Sequence, residues 1–257
     1  MLIYGHRGAA WEAPENTIAG FRRALALGAD GVELDIRATR DGVPVVLHDP
    51  GLERTTTGHG NVDELSLAEV RAVAAGEGAP VPTLDEAVTL LGGRTHLDVE
   101  LKRSGVEREV LRSLARLPPG SWAVSSLDWS ALRALRSLAP TAPLWPVART
   151  VDDALYALAA ELAAPTVAVR ADAYTADVAR RFIETGLKVM AWTVNSVSEA
   201  WRVRRLAAVA LCTDQPAAMR RALNGSETAF DLEPTGSDRW LGQVGVGEPA
   251  RLDCVLR

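Results

Sequence analysis

Short apolar runs alternate with longer stretches of helical periodicity along most of the chain. Candidate strands are Leu2–Gly5, Gly31–Ile36, Pro44–Leu47, His96–Leu101, Trp122–Ser125, Leu144–Val147, Thr166–Val169, Lys188–Thr193 and Ala208–Cys212. Between most of them lie helical segments: Thr17–Leu27, Glu107–Leu117, Ser130–Leu138, Val151–Leu162, Ala176–Glu184, Val197–Leu206 and Pro216–Leu223. Apolar residues at Ile18, Phe21, Ala24 and Leu25 show the spacing. Strand then helix, repeated about eight times, requires parallel strands joined by crossover helices. At 257 residues the pattern predicts an α/β fold, a closed TIM (β/α)8 barrel. A doubly wound open sheet is the alternative.

Residues 1–224 carry this pattern, and residues 225–257 break it. The latter hold two short β-like runs, Trp240–Val246 and Arg251–Leu256, separated by Gly247-Glu248-Pro249. They read as a short C-terminal extension, a β-hairpin or a tail. Asp41-Gly42 is a turn signal joining the second and third apolar runs as a hairpin. From Asp49 to Pro82 there is a helix signal but no clear strand, so a loop and helix are expected over one end of the barrel. Ser66–Glu69, Thr83–Glu86 and Ser196–Glu199 fit capping boxes, and Asn16 is a candidate N-cap for the first helix.

Composition narrows the function classes. The balance is 28 Lys+Arg against 33 Asp+Glu, a net charge of -5. That lacks the footprint of a general nucleic-acid binder and gives no attraction to anionic membranes. The 2 cysteines, Cys212 and Cys254, are too far apart in sequence for a thiolate zinc motif and suggest a reducing compartment. The N-terminus shows no signal-peptide pattern, and the most apolar region, Ala154–Val169, is broken by Glu161 and Pro165. A cytoplasmic protein is expected.

Polar residues collect at the C-terminal ends of the candidate strands, where a barrel builds its active-site rim. His6 ends the first. Glu33 and Asp35, two apart, share a face of the second. His48 and Asp49 end the third. Strict alternation in His96-Leu97-Asp98-Val99-Glu100-Leu101-Lys102 puts four ionisable groups on one face, costly unless they pair or bind a metal. Taken singly, each feature also fits a structural histidine, a solvated edge or a plain ion pair. Together, Glu33, Asp35 and Glu100 form an all-oxygen set suited to Mg²⁺, Ca²⁺ or Mn²⁺ rather than Zn²⁺. His6 and His48 have the intrinsic pKa for proton transfer near neutrality, and Arg7 and Lys102 suit a phosphate. His59, in a loop, and His96, low on its strand, are not expected to be catalytic.

The chain resembles the glycerophosphodiester phosphodiesterases. The resemblance rests on Gly5-His6-Arg7-Gly8-Ala9, Ala13-Pro14-Glu15-Asn16-Thr17, Gly31-Val32-Glu33-Leu34-Asp35 and Asp41-Gly42 leading to Leu47-His48-Asp49. It continues through Arg54-Thr55-Thr56, Pro82-Thr83-Leu84, Glu100-Leu101-Lys102, Ala191-Trp192-Thr193-Val194-Asn195 and Thr213-Asp214-Gln215-Pro216. Any one motif is weak, whereas the ordered set is specific. The resemblance implies a TIM barrel and a divalent-metal-dependent hydrolase of lipid and glycerol metabolism, releasing glycerol 3-phosphate and an alcohol. It implies Glu33, Asp35 and Glu100 as metal ligands, His6 and His48 as the acid–base pair, and Arg7 and Lys102 on the phosphate. The attacking group it implies is the glycerol hydroxyl beside the phosphate. Trp192 packs on the glycerol carbons or serves as a core tryptophan. Glu15 and Asn16 brace the first loop. Asp214 orients a neighbour or, the favoured reading, caps the helix that Pro216 begins.

Two positions depart from the family pattern: Leu127 follows Ser125-Ser126 where Phe is frequent, and Gln215 replaces a frequent aromatic. Two alternatives keep the same barrel. A lysophospholipase D-type phosphodiesterase needs an apolar entrance, which 3 Phe and 3 Tyr disfavour. A non-catalytic phosphate binder is disfavoured because both histidines and all three carboxylates are present.

Overall fold

The computed structural model describes residues 1–225. Past Gly225, the expected C-terminal extension lies outside the described residues. The strands are β1 (Leu2–Gly5), β2 (Gly31–Ala38), β3 (Pro44–Val46), β4 (Ala74–Ala75), β5 (Ala79–Pro80), β6 (His96–Leu101), β7 (Trp122–Ser126), β8 (Leu144–Ala148), β9 (Thr166–Arg170), β10 (Lys188–Trp192) and β11 (Ala210–Thr213). The helices are α1 (Ile18–Ala26), α2 (Leu67–Arg71), α3 (Leu84–Leu91), α4 (Glu107–Leu114), α5 (Trp129–Leu138), α6 (Asp153–Glu161), α7 (Ala176–Thr185), α8 (Val197–Arg205) and α9 (Pro216–Asn224).

Among the described residues the main sheet has 9 strands, and all but β3 are parallel. β1 pairs with both β2 and β11, so the ring β1, β2, β6, β7, β8, β9, β10, β11 closes into a TIM barrel. The open-sheet alternative is excluded by that closure.

Strand alternation divides the core in two. On β6, Leu97, Val99 and Leu101 are fully buried in the main core beneath the helices. Burying each stabilises the fold by roughly 1.5–3 kcal/mol, which holds the strand in register despite the ionisable groups facing inward. Inside the barrel a smaller cluster, including Tyr4, Trp145, Met190 and Cys212, forms the floor. His96 belongs to this floor: its Nδ1 is 3.1 Å from Tyr4 Oη, and its ring stacks on Trp145 with centroids 5.4 Å apart.

Local signals are met with three differences. Ser66 and Thr83 form complete capping boxes, whereas for Ser196 only the bond accepted from the Glu199 N–H is present. Thr17, not Asn16, caps α1, its hydroxyl accepting from Gly20 N at 3.0 Å. Asn16 instead has φ 55° and its side chain engages Asp35. The stretch after Asp49 contains an antiparallel ribbon of β4 and β5, each two residues long, besides α2. Two-residue strands are too short to show alternation. Leu47, Leu52, Val62, Val70 and Val81 give this excursion its own small core against β3.

The third apolar run is not a barrel strand. The Asp41-Gly42 turn sends β3 back antiparallel to β2, pairing Ile36 with Val46. Leu47 N then donates to Asp35 O at 3.0 Å. His48 is thus returned to the level of Asp35 by a hairpin, not delivered by a C-terminal strand end.

Candidate active site

His6 and Arg7 follow directly on β1, and the backbone turns at Gly8. With φ 97° there, a Cβ would sit 2.7 Å from the Gly20 carbonyl carbon, so only glycine permits this approach to α1. His6 Nδ1 lies 2.7 Å from Asp214 Oδ1. Asn195 Nδ2 donates to Asp214 Oδ2 at 2.5 Å, and Asp214 N donates to Asn195 Oδ1 at 2.9 Å. Burial works against the Asp214 charge, but His6 and Asn195 outweigh it and hold the carboxyl below its usual value. Asp214 is therefore an orienting partner. It does not cap α9, whose N-cap position is Gln215 without a side-chain bond.

His48 has a matching partner. Its Nδ1 is 2.6 Å from Asp49 Oδ1. A carboxylate can only accept, so in both pairs Nδ1 carries the proton and Nε2 is left for chemistry. Burial lowers the His48 pKa, and although Asp35 opposes this, Lys102 reinforces it.

The acidic cluster follows from strand register. β2 and β6 place Asp35 beside Glu100 and Glu33 beside Asp98. One oxygen each from Glu33, Asp35 and Glu100 lie within 4.8 Å of one another. Lys102 Nζ stands 2.6 Å from Asp35 Oδ1 and 2.7 Å from Glu100 Oε1. Arg7 Nε is 3.2 Å from Asp35 Oδ2, and Arg7 N donates to Glu33 Oε2 at 2.9 Å. Burial opposes the Asp35 charge, yet Lys102, Arg7 and His48 prevail and bring it down to about 2. Glu33 goes the other way, raised by burial and by Asp35 and Glu100. Burial also pushes Asp98 up to about 7.

These residues fit a hard divalent cation. Glu33 Oε1 is buried with no hydrogen-bond partner, and the donors converging beside it are all carboxylate oxygens. Arg7 Nε, Asp98 Oδ1 and Trp192 Nε1 are likewise buried without hydrogen bonds. Such atoms are costly unless a ligand completes them.

One arrangement escaped the sequence. Arg54 donates to Asp49 Oδ2 at 2.5 Å through Nε and to Glu15 Oε2 at 2.7 Å through Nη1. Glu15 Oε1 in turn accepts from Arg7 at 2.7 Å, the expected bracing of the first loop. A single guanidinium therefore ties the partner of His48 to the partner of Arg7. Arg54 belongs to a motif of the resemblance, but nothing in sequence shows that it bridges residues 5 and 39 positions away.

A solvent-open cavity of about 200 Å³ gathers most of these groups. His6, Arg7, Glu33, His48, Glu100 and Lys102 line one side. Leu127, Val147, Ala168, Met190 and Trp192 line the other. Asp35 lies beneath, its side chain 1 % exposed. Gln215 is buried outside the cavity lining, so of the two departures only Leu127 touches it. His59 is exposed and away from the cavity.

The sequence profile of the glycerophosphoryl diester phosphodiesterase family matches residues 6–218. A glycerophosphodiester phosphodiesterase of Caldanaerobacter subterraneus subsp. tengcongensis is 31 % identical over 239 residues, covering 84 % of this chain and 94 % of that protein. One of Bacillus subtilis is 28 % identical over 255 residues, covering 88 % and 87 %. An Oleispira antarctica phosphodiesterase, solved in complex with the product sn-glycerol-3-phosphate, superposes with TM-score 0.83 at 27 % identity, covering 88 % of this chain and 97 % of that one.

Proposed function

We propose that this chain, which belongs to the glycerophosphoryl diester phosphodiesterase family, hydrolyses glycerophosphodiesters to glycerol 3-phosphate and an alcohol. The observation that carries this is a pair of histidines, each with Nδ1 tied to a carboxylate, facing one cavity with an acidic triad, Arg7 and Lys102. The product named in the Oleispira structure supports the same substrate class.

Glu33, Asp35 and Glu100 hold the divalent cation, Mg²⁺ or Ca²⁺ with Mn²⁺ a third candidate. When bound it supplies positive charge to a non-bridging phosphate oxygen. Arg7 and Lys102 bind the phosphate from the same side and fix its orientation. Nε2 of one histidine takes the proton of the glycerol hydroxyl beside the phosphate as that oxygen bonds to phosphorus. Nε2 of the other gives a proton to the leaving oxygen as its bond to phosphorus breaks. Water then opens the cyclic phosphate with the two roles exchanged, yielding glycerol 3-phosphate. The internal nucleophile gains from proximity. Trp192 lays its ring on the glycerol carbons and offers Nε1–H to a hydroxyl.

Every residue named in this scheme lies within residues 1–224, the part of the chain that carries the barrel pattern. No helix among the described residues is long and apolar enough to cross a membrane. A cytoplasmic setting agrees with the free, buried Cys212.

The test is a release assay with Mg²⁺ over several glycerophosphodiesters and one lysophospholipid. Glycerol 3-phosphate released from the water-soluble diesters supports the proposal. Turnover of the lysophospholipid alone would place the enzyme with the lysophospholipase D-type activities.

A further inference from the structure

In the ring order, β8 stands opposite β1, which leads directly into His6 and Arg7. Arg149 is the first residue beyond β8, so it sits on the rim across from the phosphate-binding groups. It is exposed and lines the same cavity.

Its electrostatic surroundings set it apart. Among the described residues Arg149 has no hydrogen bond and no ion pair. Arg170, at the end of the next strand, β9, is neutralised by Asp172 at 2.6 Å and does not line the cavity. The acidic residues close to Arg149 in sequence or on the neighbouring rim are engaged. Asp152 caps α6 through Leu155 N, and Asp128 accepts from the Ser130 and Ser104 backbones. The carboxylates that line the cavity, Glu33, Asp98 and Glu100, all lie on β2 and β6. Among the described residues, the β7–β11 side therefore lines the cavity with Ser125, a mostly apolar wall and one uncompensated cation.

A phosphodiester has two arms. With the phosphate held at the β1, β2 and β6 side, both arms must cross the remaining floor. Trp192, on β10, suits the glycerol arm. The other arm is left with Leu127 and Val147, a path that ends at Arg149. A guanidinium matches phosphate and carboxylate geometry, repels an ammonium and gains little from a neutral hydroxyl.

We propose that Arg149 selects diesters whose leaving alcohol carries a second negative charge, a phosphate or a carboxylate. The inference rests on the phosphodiesterase reading and specifies the substrate class of that site. Arg149 acts in specificity and touches neither the scissile bond nor the metal ligands.

The experiment compares kcat/KM of the full chain on four diesters. Glycerophosphoglycerol is the neutral reference and glycerophosphocholine the cationic one. Bis(glycerophospho)glycerol offers a second phosphate, and glycerophosphoglycerate a carboxylate. The acidic arms should exceed the neutral one by about five- to tenfold, as expected of a charge-assisted contact at a partly solvated rim. The stronger of the two identifies the acidic group. The preference should shrink as salt is raised, because the rim is open to screening. Arg149→Gln should bring the acidic-to-neutral ratio close to one, and Arg149→Glu should invert it in favour of choline. An acidic preference that survives Arg149→Gln overturns the proposal, as does a wild-type preference for the neutral or cationic arm. A folded enzyme that turns over none of the four removes the phosphodiesterase reading and this inference with it. Turnover of the neutral diester without any charge preference removes the inference alone.

Discussion

The two sides of the barrel mouth are built on opposite plans. On the side of β1, β2, β6 and the returning β3, nearly every functional atom is held by another. His6 is held by Asp214, His48 by Asp49, and Asp35 by Lys102, Arg7 and Asn16. On the side of β7 to β10, Leu127, Val147, Ala168 and Met190 offer shape, and Arg149 and Trp192 Nε1 offer unused polar capacity. Chemistry needs groups fixed to a fraction of an ångström, whereas choice among substrates needs surface that can vary. In the proposed scheme the held side is the reactive one, and the open side the selective one.

Breaking the held side should have the largest effect. His6→Ala and His48→Ala should each lower kcat by about 10²–10⁴ with the melting temperature little changed, the range for losing a general acid or base. His59→Ala, exposed and outside the cavity, should stay close to wild type. Equal losses at all three positions would point to instability and not chemistry.

The bridge made by Arg54 comes next. Arg54→Ala should reduce kcat by about 10- to 100-fold, since small misplacements of reacting groups carry such penalties. Arg54→Lys should recover only part, because one ammonium cannot reproduce a fork spanning Asp49 and Glu15. Millimolar guanidinium should restore some activity to the alanine variant, which a purely structural defect would not allow. If Arg54→Ala matches wild type, the held side owes nothing to this tie.

A smaller change is expected on the open side. Trp192→Phe keeps an aromatic face and removes Nε1–H. KM should rise by about two- to tenfold with kcat little altered, the worth of one neutral hydrogen bond. A fall in kcat alone would move Trp192 to the reactive side.

Why the two sides differed in legibility is plain from particular residues. The alternation in β6 could be read directly, because Leu97, Val99 and Leu101 go outward and everything between them must go in. Glu33, Asp35 and Glu100 followed from strand positions alone. The antiparallel turn at Asp41-Gly42 was visible, but its consequence for His48 required the pairing of Leu47 with Asp35. Asp214 and His6 are 208 residues apart, and local sequence made a helix cap the simpler reading. Asn16 looked like a cap because its type favours caps, yet Asp35, 19 positions on, takes its side chain. Side chains joined by closure of the barrel leave no periodic trace in the sequence.

The smallest effect concerns the floor beneath both sides. Burial lowers His96 to about 4, below the ~6.5 of a free histidine. Between those values the unfolded chain binds the proton more readily. The contribution of neutral His96 is therefore complete above about pH 6.5 and is lost as pH falls toward 4. The melting temperature of wild type should drop more between about pH 7 and pH 4.5 than that of His96→Phe. Parallel curves for the two proteins would show that His96 titrates normally.

The most direct test of the held side is removal of the cation that Glu33, Asp35 and Glu100 are proposed to hold. Turnover of glycerophosphoglycerol should vanish after exhaustive chelation and return on adding Mg²⁺, Mn²⁺ or Ca²⁺. In Glu33→Gln it should not return at the same metal concentration. Full activity in the chelated wild-type enzyme would contradict the account, because three converging carboxylates would then have no part in the reaction.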